Sequence, residues 1–196
     1  CDICDSVVFK RTDKTDHSFI WIIDKCATEV VRGKKHESCE MCKKVRNENT
    51  VIKTISSKIQ YTKMSYTGEE RKAEIFVTDS DGNILTEGVD YTLSGDVSAK
   101  NVGRYCVKVK YCGEYTGNRT FYYTMVPEKV TSFDANLSGG HDDVKITWTK
   151  SPGATGYYVS YKKHSSSTYS ALKRTTKNYY TFKDLADNTT YDFRVV

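Results

Sequence analysis

Arg104-Tyr105-Cys106-Val107-Lys108-Val109-Lys110-Tyr111 is the stretch whose reading decides the fold. Residues alternate between the two faces of a strand, so Tyr105, Val107, Val109 and Tyr111 share one side while Arg104, Cys106, Lys108 and Lys110 share the other. The first side is expected in a core and the second in water. Asn101-Val102-Gly103 before it and Gly113-Glu114-Tyr115-Thr116-Gly117 after it carry turn residues. Outward from there, Ala73–Thr78 reads as a strand, Asp79-Ser80-Asp81-Gly82-Asn83 as a turn and Ile84-Leu85 as the return. Asp90-Tyr91-Thr92-Leu93-Ser94 is another strand, and Arg119–Val126 places Phe121, Tyr123 and Met125 on one face. Ser57 to Pro127 therefore reads as one complete all-β module.

The same period continues beyond Pro127. Val144, Ile146 and Trp148 alternate against Lys145, Thr147 and Thr149, Pro152-Gly153-Ala154-Thr155-Gly156 turns the chain, and Tyr157, Val159 and Tyr161 alternate again. Short strands separated by turn residues predict a second sandwich. The sequence stops at Val196 inside an alternating pattern, so this end reads as a cut. Ser165-Ser166-Ser167 reads as a flexible hairpin tip.

Residues 1 to about 55 have a different character. All fifteen tyrosines lie after residue 60, whereas Cys1, Cys4, Cys26, Cys39 and Cys42, five of the seven cysteines, lie in this front piece. Cys1-Asp2-Ile3-Cys4 and Cys39-Glu40-Met41-Cys42 are two CxxC knuckles. Each lets both sulfurs face one point, and together they supply the four thiolates of a tetrahedral zinc site, although the spacer between them is longer than in a usual zinc ribbon. So small a piece buries little core and needs a staple. The expected metal ligands are Cys1, Cys4, Cys39 and Cys42, with structural zinc as the cofactor. Disulfides between the knuckles are the competing staple in an oxidising setting, and free thiols are the third reading. His17, at the start of a β-branched strand, and His36, just before Cys39, each offer a substitute for a cysteine ligand, with a polar strand residue as the plainer reading. Cys26 is expected to pack as a small hydrophobe. Cys106 and Cys112 lie roughly 20 Å apart on a straight strand, too far to bridge unless the chain folds back at Cys112-Gly113, and are read as unpaired thiols.

The formal charge of +5 is spread without a stripe or arm. Nucleic-acid binding concentrates Lys and Arg against neighbouring phosphates, so that class is disfavoured. No apolar run approaches the ~20 residues of a membrane-spanning helix, no signal peptide opens the chain, and both ends read as cuts. No nucleophile elbow, phosphate loop or HExxH motif is present. His17, His36, His141 and His164 are scattered, and Asp142-Asp143 after Gly139-Gly140 reads as a solvated turn. The exposed tyrosines Tyr158, Tyr179 and Tyr180 offer stacking surfaces for sugars, yet tyrosine favours strands without any ligand. Asn118, Asn136 and Asn188 head Asn-x-Ser/Thr triplets that matter only in a glycosylating host.

Three resemblances add to this. His17, Trp21, Ala27-Thr28, Gly33-Lys34-Lys35 and Cys39-Glu40-Met41-Cys42 resemble short cysteine-rich repeats of Gram-positive surface proteins. Cys26 precedes Ala27-Thr28 here instead of following it. On that resemblance Cys1–Cys4 is the tail of a preceding repeat. Tyr66-Thr67-Gly68, Asp79 to Gly82, Gly88 to Tyr91, Asn101-Val102-Gly103 and Gly113 to Gly117 look like a bacterial immunoglobulin-like repeat, which implies a spacer or adhesive stalk without catalytic residues. Trp148, Gly156-Tyr157-Tyr158-Val159, Leu185 and Tyr191-Asp192-Phe193-Arg194-Val195 resemble a fibronectin type III domain, with Tyr191 as its tyrosine corner.

The expected architecture is all-β: a cysteine-rich, zinc-stapled β module over 1–55, an immunoglobulin-like module over 56–127 and a truncated fibronectin type III domain over 128–196. The expected role is a non-catalytic, extracellular or cell-surface spacer, stalk or adhesion module, an elongated monomer facing a surface protein or glycan, with no nucleic-acid partner and no membrane insertion within this stretch. The alternative is a set of accessory domains of a secreted glycosidase or peptidase.

Overall fold

A computed structural model describes residues 17–139 and 142–196. Cys1, Cys4 and His141 lie outside the described residues. The described chain is all-β, without a helix, and is built of tandem β-sandwich modules behind a small three-stranded sheet.

That sheet has the order β1 (Phe19–Lys25), β2 (Gly33–Cys39), β3 (Val45–Ile52), all antiparallel. Phe-Ile-Trp-Ile-Ile makes β1 a strand by side-chain shape alone. Gly33 opens β2 because a Cβ there would come within 2.7 Å of the Ala27 backbone nitrogen. β3 is polar, and its left-handed Asn47 and Asn49 accompany a register shift against β2. Glu37 is buried in the middle of β2. It accepts hydrogen bonds from Arg46 Nε (2.7 Å) and Asn47 Nδ2 (2.6 Å), and the Arg46 guanidinium holds its carboxyl below the usual range.

The middle of the chain contributes β4 (Ile55–Ile59), β5 (Lys63–Ser65), β6 (Arg71–Lys72), β7 (Ile75–Asp79), β8 (Tyr91–Gly95), β9 (Ser98–Ala99), β10 (Gly103–Tyr111) and β11 (Asn118–Val126). They form a sheet of order β5-β11-β10-β8 and the pairs β4-β7 and β6-β9. The alternation of β10 holds over its second half: Val107, Val109 and Tyr111 are buried and Lys108 and Lys110 exposed. Arg104 is exposed too, while Tyr105 and Cys106, placed on opposite faces, are both half-buried. Val107, Tyr123 and Met125 pack with Met64, Ala73 and Ala99 in one core cluster. Each fully buried aliphatic side chain contributes about 1.5–3 kcal/mol relative to exposure. The buried Tyr123 hydroxyl donates to the Asp96 carbonyl at 2.8 Å, and its ring stacks on Tyr105 with centroids 5.4 Å apart.

The last strands are β12 (Asp134–Leu137), β13 (Val144–Thr147), β14 (Tyr157–Lys163), β15 (Lys173–Thr175), β16 (Tyr179–Phe182) and β17 (Tyr191–Val195). Two three-stranded sheets, β12-β13-β16 and β15-β14-β17, enclose Ile146, Trp148, Tyr157, Val159, Phe182 and Leu185. Trp148 meets Tyr157 edge-on at 5.2 Å. The Ala186 N–H donates to the Tyr191 hydroxyl at 2.9 Å, which is the hydrogen bond of a tyrosine corner. Among the described residues β17 is paired on one side only, by β14.

By contact the chain forms two compact units. One holds the residues up to Ser56 with Val77–Thr92 and Lys110–Asn118, and the other holds Ser57–Phe76, Leu93–Val109 and Arg119–Val196. Within the first, fully buried Ala27 donates to the Glu114 carbonyl (2.9 Å) and accepts from the Thr116 N–H (2.9 Å). Lys35 forms an ion pair with Glu114, and the Tyr111 hydroxyl donates to Glu29 Oε1 at 2.5 Å. Gly113 makes this loop possible: its φ is +63°, and a Cβ would stand 2.8 Å from the Val89 carbonyl oxygen. Tyr115, buried in the same loop, has its hydroxyl pKa pushed up to about 12, first by loss of solvent and then by nearby carboxylates.

Candidate metal centre

Antiparallel pairing of β1 with β2 sets Phe19 opposite Cys39. His17, two residues before Phe19, is thereby carried to the end of β2, where the chain turns through Cys39-Glu40-Met41-Cys42. The turn is closed by the Lys43 N–H on the Cys39 carbonyl (3.0 Å), with Lys43 in the left-handed region at φ 59°. The Cys39 N–H donates to the Lys44 carbonyl (2.9 Å), and the Glu40 N–H donates to the Ser18 carbonyl (3.0 Å), which ties the knuckle to the residue beside His17. Ser18 Oγ also donates to Glu40 Oε2 at 3.0 Å.

Three donor atoms converge there. His17 Nδ1 lies 3.4 Å from Cys39 Sγ and 3.3 Å from Cys42 Sγ, and all three atoms are within 4.8 Å of one another. Cys39 is buried at 1% exposure, while His17 and Cys42 are exposed. The backbone N–H of Cys42, then His17, then the N–H of Met41 hydrogen-bond to Cys39 Sγ and outweigh its desolvation, so its pKa falls to about 6. A thiolate in such a knuckle is a soft, negatively charged ligand at neutral pH.

Of the four cysteines expected as ligands, the structure brings Cys39 and Cys42 together; Cys1 and Cys4 are outside the described residues. His17 joins the pair and His36 does not: His36 Nδ1 is 2.8 Å from Asp24 Oδ1. Cys26, Cys39, Cys42, Cys106 and Cys112 are free thiols. Cys112 points at the Val89 carbonyl (3.3 Å) and the Cys106 N–H donates to the Asp96 carboxylate (3.0 Å). The register of β1 on β2 is what selects His17, and that is a long-range property no local spacing displays.

Elsewhere, His164 Nδ1 (2.9 Å) and Lys162 Nζ (3.1 Å) flank the Asp192 carboxylate and hold its pKa below the usual range, His164 contributing most. Tyr158 and Tyr179 are exposed and Tyr180 is half-buried. Tyr179 has Lys145 and Lys177 over its ring at 4.8 and 5.1 Å. No helix among the described residues is long and apolar enough to cross a membrane.

No curated protein matches the chain. Among solved structures, domains A168–A170 of titin are similar at 15% identity, covering 89% of this chain and 75% of that one with a TM-score of 0.34. The FN1–FN3 domains of chicken CNTN1 are similar at 11% identity, covering 84% and 69% with a TM-score of 0.32. The assignment of the last module rests on its own strands, its tyrosine corner and the family match: residues 128–196 match the family described as the fibronectin type III domain and form a module of that kind.

Proposed function

We propose that this chain is a non-catalytic, modular extracellular or cell-surface protein that spaces or presents a neighbouring domain, or adheres to a surface protein or glycan, and that it acts as a monomer. The observation that carries the reading is the fibronectin type III module at residues 128–196, a sandwich whose buried side chains are aromatic and aliphatic. Its three modules are 1–55, 56–127 and 128–196, and a single structural zinc ion staples the first, where Cys39 and Cys42 meet. The residues present fit that ion by the chemistry of their donors, two thiolates and an imidazole nitrogen. The resemblance of the first two modules to Gram-positive surface repeats supports a bacterial cell-surface setting.

Single-molecule pulling of the full chain between inert handles tests the mechanical role. A spacer yields separate force peaks, one of them releasing roughly 24 nm for the last module at 3.3–3.6 Å per residue, and it refolds on relaxation. Extension without a force peak removes the spacer reading.

A further inference from the structure

We infer that His17 Nδ1, Cys39 Sγ and Cys42 Sγ are three of the donors to one tetrahedral zinc ion, so that at most one of Cys1 and Cys4 completes the site. This rests on the zinc staple proposed above and replaces the four cysteines expected from the sequence with a mixed ligand set.

Geometry carries the inference. With Zn–S near 2.3 Å and Zn–N near 2.0–2.1 Å, tetrahedral angles put nitrogen and sulfur about 3.5 Å apart, and the two separations here are 3.4 and 3.3 Å. Hydrogen bonding accounts for this arrangement poorly. A neutral Nδ1 has either one proton or one lone pair to offer, yet two sulfurs stand at nearly equal distance from it. A cation at the common point satisfies all three atoms. The Glu40–Ser18 backbone bond ties the knuckle to the residue next to His17, and the register of β1 on β2 carries the imidazole to the same end of the sheet. Coordination through Nδ1 leaves Nε2 to water, in keeping with an exposed ring.

The test uses the full chain freed of metal, titrated with zinc against a chromophoric chelator and with cobalt(II) for its absorption spectrum. The expected result is one zinc per chain, lost in Cys39→Ser and Cys42→Ser, and weakened in His17→Ala by at least the roughly 10–100-fold that losing an outer-shell partner of a metal ligand costs. At least one of Cys1→Ser and Cys4→Ser binds as the parent does. His17→Cys supplies a donor in place of the one it removes, so it binds cobalt(II) and strengthens the thiolate-to-metal absorption. Parent-like binding by His17→Ala, with loss in both Cys1→Ser and Cys4→Ser, overturns the inference and leaves a four-cysteine zinc site standing. A parent chain that takes up neither zinc nor cobalt removes the staple itself.

Discussion

Replacing Tyr191 with Phe removes one oxygen atom and tests whether the last module is held as described. The ring stays where it is, 5.6 Å from Tyr161 and 6.4 Å from Phe193 by centroid, so packing is conserved. What disappears is the acceptor for the Ala186 N–H at 2.9 Å. A neutral hydrogen bond contributes about 0.5–1.5 kcal/mol net, and because Ala186 is exposed its N–H recovers water. The expected loss is therefore about 1 kcal/mol, or roughly 4–8 °C in Tm for a domain of this size. Trp148, buried in this module, reports its unfolding, and Trp21→Phe silences the other tryptophan. Urea unfolding of Trp21→Phe with and without Tyr191→Phe, followed by Trp148 emission, gives the difference directly. A change below about 0.3 kcal/mol refutes the corner as a stabilising bond, and one above about 3 kcal/mol shows that the ring itself has moved.

Three further outcomes follow from particular residues. Gly113→Ala forces a side chain into a left-handed φ and against the Val89 carbonyl, costing about 1–3 kcal/mol, seen as earlier urea unfolding by Trp21 emission in a Trp148→Phe background. In the metal-free chain Cys39 favours its thiolate when folded, so its stabilising contribution is full above the ordinary thiol range, shrinks as pH falls and is lost through about pH 6; ultraviolet thiolate absorbance of the parent minus Cys39→Ser titrates near pH 6, and a midpoint near 9 contradicts it. Asp192 has a depressed pKa, so its contribution is present above the ordinary carboxylate range and is lost as pH falls below it. Asp192→Asn accordingly flattens the acid limb of the last module's stability curve, and an unchanged limb counts against the His164–Asp192–Lys162 cluster.

The strands of β10, β11, β13 and β14 were legible because burial on one face imposes period two on the sequence, and Val107, Met125, Ile146 and Val159 sit where that period puts them. Tyr191 was legible from its distance to Leu185. β3 was not: Val-Arg-Asn-Glu-Asn-Thr-Val-Ile has the composition of a connector, and only its pairing with β2 makes it a strand. Buried Glu37 was equally hidden, since its partners Arg46 and Asn47 arrive across that same pairing. The candidate site divides in the same way. The CxxC knuckle is local and visible, whereas the choice of His17 over His36 depends on which β1 residue faces Cys39. Ala27, fully buried in the first unit, enters the sequence reading only as part of a resemblance, and nothing local signals its burial.

The claim that a metal staples the first unit is tested most directly by hydrogen exchange on the full chain, with zinc and then with a chelator. The account predicts that metal removal deprotects residues 33–52 and, through the Ala27 hydrogen bonds to Glu114 and Thr116, residues 110–118, while 144–195 exchange as before. Exchange in residues 33–52 that is indifferent to the chelator would contradict it.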